Sequence, residues 1–563
     1  MVSATTEARE LNDIGYAIKT ASQTVEFIVD DQDEHLTPHH EHRLCDDGWL
    51  VLLACYKKPM IMAASLLVIT FFLSYSIDEN RPMASKGAAV MLVTALWWCT
   101  EIVPLTISSL LPMVLYPLFG VAKAGALAAT FFKGTSFLFI AGFFIGLAVE
   151  RWNLHQRIVC VVVTRAGRNV ELLLAGFMFA VWFLSMWISN TATMLCMVPV
   201  ADAFLESLPD GCSRFKSGFL LALGYSATIG GIVTPVGTPT NGIFLEYFAA
   251  FWPQEGEFSF ATFFMCSLPL SISLLVTVWL GTCIMYVWRA PERIPVDKTI
   301  FDEMSAKLGK ISFEQMLVAA TLLVLIVLWF TASPIMDFPG WKVFIAPELN
   351  SGAIGLGLTL PLFLVPCGAQ LPAQVKKFLG EDRCLSQAVD QNPQYILDWD
   401  ALRGKFQWEI LFVFGGGSLI AHGTVASGFA NFIADWLAQV GGGEFGFILM
   451  MTFAICFITE IVSNMATLSI FGAIVATTAV AKGYDPVQFL LIVCLASSFA
   501  FMLPMAGGPN MVVYSTGKVS VRFMVIHGFV LNCIAVMIGS LYCAHVMPAL
   551  LGDYTHLGEP ASA

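Results

Sequence analysis

The sequence predicts an all-α polytopic membrane protein. Three observations predict it: long apolar blocks, basic residues confined between those blocks, and two polar interruptions that recur at matched spacing. Of 563 residues, 57% are hydrophobic and 12% charged, about half the charged share of a soluble domain. Residues 59–77, 313–332 and 523–547 are apolar blocks, each long enough for the roughly 20-residue helix that crosses a hydrocarbon core. Lipid offers no partners for backbone groups, so spanning segments must satisfy them internally, and the alternating pattern of a barrel is not visible. About 11 transmembrane helices are expected.

Composition also excludes some classes of function. The formal charge is −12, and the acids sit mainly in loops and the N-terminal tail, which argues against a nucleic-acid partner. The 14 cysteines are scattered without a CxxC and read as small buried hydrophobes. No signal peptide is evident. Residues 1–57 read as a polar, disordered cytoplasmic tail, and its His35, His39, His40 and His42 as a solvated cluster rather than a metal site. No HExxH, GxSxG or paired catalytic acids occur, so the chain does not read as an enzyme and no organic cofactor is implied.

Charge placement orders the spans. The 29 Lys and Arg lie outside the apolar spans or at their edges. With a cytoplasmic N-terminus and alternating crossings, segments 1–58, 151–170, 207–217, 289–312, 367–405 and 518–522 face the cytoplasm. Only Arg81, Lys86, Lys123, Lys133, Lys342 and Lys482 fall on the other side, as the positive-inside rule expects. The tail at 551–563 is then extracytoplasmic. Two stretches do not fit ordinary crossings. Residues 172–208 are apolar but interrupted by Ser189-Asn190-Thr191, with basic residues at both ends; this predicts a re-entrant helical hairpin. Residues 445–481 are interrupted by Ser463-Asn464 and predict a second hairpin, entering from the opposite side.

The hairpins belong to a longer repeat. Phe139-x-x-Gly142 lies 48 residues before Asn190, and Phe412-x-x-Gly415 lies 49 before Asn464. Gly237-Thr238-Pro239-Thr240-Asn241 ends 51 residues after Asn190, and Gly507-Gly508-Pro509-Asn510 ends 46 after Asn464. Each glycine–proline element predicts a broken helix, over 217–250 and 487–517. The chain thus divides into halves 58–312 and 313–550, and inverted repeats with paired broken helices are the pattern of secondary transporters.

At these residues the chain resembles the divalent anion/sodium symporter (DASS) family, solute carrier family 13, the INDY-type di/tricarboxylate carriers. The resemblance covers about residues 50–550. It rests on Trp97-Trp98-Cys99-Thr100-Glu101-Ile102-Val103-Pro104, on Ser185 to Thr193, on Thr459 to Asn464, and on Phe499 to Pro504. It implies a homodimer, each protomer having a static scaffold and an elevator-type transport domain, that carries succinate, citrate and related anions with sodium as coupling ion. Carried over, one sodium site uses Ser185, Ser189, Asn190 and the backbone at Gly237. The other uses Thr459, Asn464 and the backbone at Ala506. The anion is expected at Asn190, Thr191 and Asn464, beside Gly507 and Gly508. Sulfate or another inorganic oxyanion, and sodium-independent carboxylate exchange, are the alternatives. A plasma-membrane location is expected.

The residues themselves make chemical sense of that arrangement. With no basic side chain inside a span, a carboxylate at mid-membrane must be balanced by helix N-termini and by cations held on Ser, Thr and Asn oxygens. The second half departs from the family pattern at Met465, which removes a hydroxyl, and at Gly507-Gly508, which loosens the backbone. An asymmetric site, weaker in the second half, follows. Glu101, Glu409 and Glu460 are acids within or beside spans and are read as structural. Gly415-Gly416-Gly417 suits either a cavity wall or close helix packing.

Overall fold

The structure is a computed structural model. It describes residues 48–165, 169–209, 212–288, 306, 308–333, 339–346, 348–367, 395–439 and 443–554. The expectations for residues 1–47, their histidine cluster, and the chain beyond residue 554 lie outside the described residues, as does most of segments 289–312 and 367–405; residues 48–57, read as the end of the disordered tail, are instead helical, the start of Gly48–Ser74. Among the described residues the architecture is helical, and the only β-type pairing is an isolated bridge between Pro366 and Tyr395.

Seven stretches of the described residues are long and apolar enough to cross a membrane: Lys57–Ser74, Ala124–Arg151, Phe260–Val287, Phe313–Ala332, Trp408–Ala426, Asn464–Ala481 and Val521–His545. The three apolar blocks read from the sequence fall in this set. Polar interruptions divide four apolar stretches into successive helices. Val170–Ser185 is followed by Asn190–Glu206, and Glu444–Ile458 by Asn464–Ala481. Ser213–Gly231 is followed by Pro239–Phe251, and Pro486–Ala496 by Gly508–Ser515.

Helix starts follow local chemistry. Ser312 and Gln315 form a capping box at Phe313–Ala332, which satisfies two amides that the helix leaves free. Asn169, Ser259, Asp485 and Ser520 cap their helices through side-chain oxygens. Gln315 also donates to the Trp152 carbonyl at 2.8 Å, fastening this helix to the end of Gly134–Arg151.

Hydrogen bonds and small residues then position the interruptions. The Trp182 indole donates to Ser271 Oγ at 2.7 Å, and Ser271 donates to the Ile229 carbonyl at 2.6 Å. A Cβ at Gly230 would lie 2.2 Å from the Trp182 carbonyl oxygen, so the first hairpin presses backbone to backbone on the first broken helix. In the second half, Gly528 brings the Val521–His545 helix equally close to the Phe501 carbonyl. The triple glycine is a packing feature: Gly415 lies under the Phe131 ring and Gly416 against Ser109.

Candidate functional site

The two hairpin tips are built alike. Ser189 caps Asn190–Glu206 with φ −55° and ψ 142°, its Oγ accepting from the Ala192 amide. Ser463 caps Asn464–Ala481 with φ −58° and ψ 144°, its Oγ accepting from the Ala466 amide. Each asparagine therefore occupies the first position of a helix, where unpaired amides point outward. Behind each tip stands a buried hydroxyl. Ser185 Oγ lies 2.6 Å from Asn190 Oδ1 and 2.7 Å from the Ala227 carbonyl oxygen. Thr459 Oγ1 lies 2.8 Å from Asn464 Oδ1 and 2.7 Å from the Ser497 carbonyl oxygen.

The two breaks match as closely. Asn241 Nδ2 donates to the carbonyls of Gly231 and Thr234 at 3.0 and 2.7 Å. Asn510 Nδ2 donates to those of Ala500 and Leu503 at 2.9 and 3.0 Å. In each half the carboxamide reaches back ten and seven residues to brace the unwound backbone. Gly237 donates to the Thr234 carbonyl and Ala506 to the Leu503 carbonyl, both at 3.2 Å, so these two occupy equivalent places. The halves also touch. Thr240 Oγ1 and Ser498 Oγ are 3.0 Å apart, and a Cβ at Gly508 would fall 1.8 Å from Thr191 Oγ1. The first tip therefore lies directly on the second break.

Among the anticipated residues, Ser185 pairs with Asn190 and Thr459 with Asn464. Thr191 meets Gly508, and Ser189, Thr191 and Gly237 line one cavity of about 340 Å³. Ser185, Asn190, Thr459, Asn464, Ala506, Gly507 and Gly508 do not line that cavity. Gly508 is there for closeness rather than looseness, because its missing Cβ admits Thr191. Gly507 is extended and has no side chain or backbone atom nearer than 3.8 Å to an added Cβ. Met465, where a hydroxyl was missed, is half-buried against the main core.

Three groups escaped the sequence reading. Lys405 lines the cavity together with Glu150, and the two form an ion pair at 2.8 Å. A basic side chain thus reaches the site from beyond the apolar spans. Glu246, an acid within the first broken helix, is buried and accepts from Ser418 Oγ at 2.9 Å. Its place in an apolar stretch was a visible signal. Lys133 was read as lying outside the spans, and it does sit in the non-helical break between Ala124–Phe131 and Gly134–Arg151; what escaped is the second cavity that it lines. Of the three acids singled out earlier, Glu460 is buried and braces the second break. Its Oε1 accepts from the amides of Phe501 and Met502 and from Asn532 Nδ2, and its Oε2 from the Leu503 amide, at 2.6–3.1 Å. Glu101 and Glu409 are exposed.

Paired tips and paired breaks that meet in a helical frame define a membrane transport protein built from two related halves. The chain belongs to the family described as "Sodium:sulfate symporter transmembrane region", whose profile matches residues 56–550. It is 30% identical over 511 residues to the sodium-dependent dicarboxylate transporter SdcS of Staphylococcus saprophyticus, covering 88% of this chain and 93% of that one. The SdcS of Staphylococcus aureus USA300 is 29% identical over 527 residues, with 90% and 95% covered. In fold, the chain is similar to the YdaH transporter of Alcanivorax borkumensis, with TM-score 0.51, 13% identity, and 81% and 98% of the two chains covered.

Proposed function

We propose that this protein carries small di- and tricarboxylates, succinate and citrate among them, across the plasma membrane together with sodium. The observation that carries the reading is the duplicated centre: Ser185–Asn190 against the first break and Thr459–Asn464 against the second, joined through Thr240–Ser498 and Thr191–Gly508. Each half gathers side-chain and carbonyl oxygens, a donor set that suits a hard cation such as sodium. Ser185, Ser189, Asn190 and the Gly237 backbone would hold one ion, and Thr459, Asn464 and the Ala506 backbone a second. Asn190, Thr191 and Asn464 would present helix-start amides to the anion, with Gly507 and Gly508 beside them. The names of the SdcS relatives support sodium and dicarboxylate as the coupled pair.

In this reading the first hairpin, the second hairpin and the two broken helices move as a transport domain against a scaffold containing Gly134–Arg151 and Trp408–Ala426. The N-terminus is cytoplasmic, two copies associate, and the cavity lined by Ser189, Thr191 and Lys405 opens to the cytoplasm. Each unbalanced positive charge moved inward gains about 2.3 kcal/mol per 100 mV. Labelled succinate uptake by proteoliposomes, with a sodium gradient and with choline in its place, tests the proposal. Uptake should depend on sodium and be suppressed by excess dicarboxylate. The family description favours one second reading, sulfate transport; suppression by sulfate but not by citrate would support it instead.

A further inference from the structure

The cavity at the first tip runs along one of two antiparallel helices, from Phe139 to Glu150. Gly134–Arg151 and Trp408–Ala426 cross at Phe139 and Phe414, whose rings lie 4.6 Å apart. Glu150 and Lys405 mark one end, beside the cavity that holds Ser189 and Thr191. The other end, about 25 Å away at 1.5 Å per helical residue, has a second cavity of about 290 Å³. Ala249, Ala250 and Phe251, from the helix after the first break, form one wall. Ser418, Ala421 and His422, from the second half, form the facing wall, and Lys133 closes the cup.

The charged chemistry of this cup is one-sided. Lys133 and His422 are its titratable lining residues, and no carboxylate lines it. Both are half-buried, and neither makes a hydrogen bond or ion pair among the described residues. Glu246 stands one layer behind. It is 3% exposed, its Oε2 is occupied by Ser418, and its Oε1 has no hydrogen-bond partner among the described residues. It is near enough to feel the Lys133 charge but forms no ion pair with it among the described residues. Lysine offers three donors and no acceptor. An ammonium in an apolar cup with its donors unused calls for an anion.

We propose that Lys133 and His422 form a second carboxylate-binding site, at the membrane face opposite Lys405, where a di- or tricarboxylate docks before it is handed to the centre. The proposal rests on the carrier reading and extends it. The scaffold presents one lysine at each end of the path, and the two are not equivalent. Lys405 is held by Glu150, so an arriving carboxylate must compete for it. Lys133 is open, which makes its face the capturing one.

Side-resolved kinetics of the full chain test this. Labelled succinate flux is measured at saturating sodium in right-side-out and inside-out membrane vesicles. Lys133→Gln and His422→Gln should each raise KM at the Lys133 face about five- to tenfold, keep kcat within about twofold, and leave KM at the other face unchanged. Lys133→Arg should restore most of the affinity. An unchanged KM at the Lys133 face, or an equal rise at both faces, overturns the proposal. If Lys133→Gln does not reach the membrane, His422→Gln decides by the same criterion. Absence of succinate flux in the unaltered protein would instead overturn the carrier reading itself.

Discussion

At the scale of single residues, the second break separates two adjacent glycines by role. An added Cβ at Gly508 would strike Thr191 Oγ1, whereas one at Gly507 meets only Pro509 Cδ, at 3.8 Å. Gly508→Ala should therefore cost about 1–3 kcal/mol, the usual penalty for forcing atoms into a packed site. Gly507→Ala, in extended backbone, should be neutral or slightly stabilising by restricting the unfolded chain. Melting of the two purified variants, followed by tryptophan fluorescence, checks the difference; equal losses would contradict the assigned contact. The three acids noted in the sequence divide in the same way. Glu460 receives four donors, three of them amides of the unwound backbone. Glu460→Gln turns an acceptor into a donor that faces other donors, and should cost roughly 2–3 kcal/mol. Glu101→Gln and Glu409→Gln, at exposed positions, should stay within about 0.5 kcal/mol. The same melting experiment reads all three.

At the scale of elements, legibility followed the range of the interaction. Ser189-Asn190 and Ser463-Asn464 were visible as polar breaks because N-capping is local: a serine oxygen reaches an amide three residues on. Asn241 and Asn510 were legible as a repeat spacing, but not as braces, since their carbonyl partners, at a helix end and in the irregular backbone of the breaks, have no sequence signature. Lys405 was not legible at all. It meets Glu150 across 255 positions of sequence, and no local pattern reports such a contact. Its neighbourhood includes a second clamp. Arg151, almost fully buried, pairs with Asp398 at 2.6 Å, and the Trp152 indole donates to the Ile396 carbonyl at 3.0 Å. Burial works to raise the Asp398 carboxyl, but the Ala401 amide and Arg151 outweigh it and hold it below its usual value. A carboxyl depressed in the fold adds stability above the ordinary carboxylate range, and loses it as pH falls through the lower folded value. Asp398→Asn should cost roughly 2 kcal/mol at neutral pH, less than a fully buried pair because the aspartate is partly exposed. It should also flatten the fall in melting temperature below about pH 4. A variant whose acid sensitivity matched that of the unaltered protein would contradict the clamp.

At the scale of the whole molecule, the all-helical architecture and its duplicated broken helices were readable because lipid restricts the options for a backbone. The contacts between halves were not, because they depend on how two repeats interlock. Thr191 against Gly508 and Thr240 against Ser498 join segments that neither repeat contains alone. The interlock has a functional consequence. If each half holds one cation and the anion lies between the tips, removing the cations leaves the anion facing only helix-start amides, worth about 0.3–1 kcal/mol each at exposed sites. That is too little to offset desolvation of a carboxylate. The direct test is equilibrium binding of succinate to the purified protein by calorimetry, in sodium chloride and in choline chloride at equal ionic strength. A loss of affinity of at least about tenfold without sodium, some 1.4 kcal/mol, is the predicted result; equal affinity in the two salts would contradict the account.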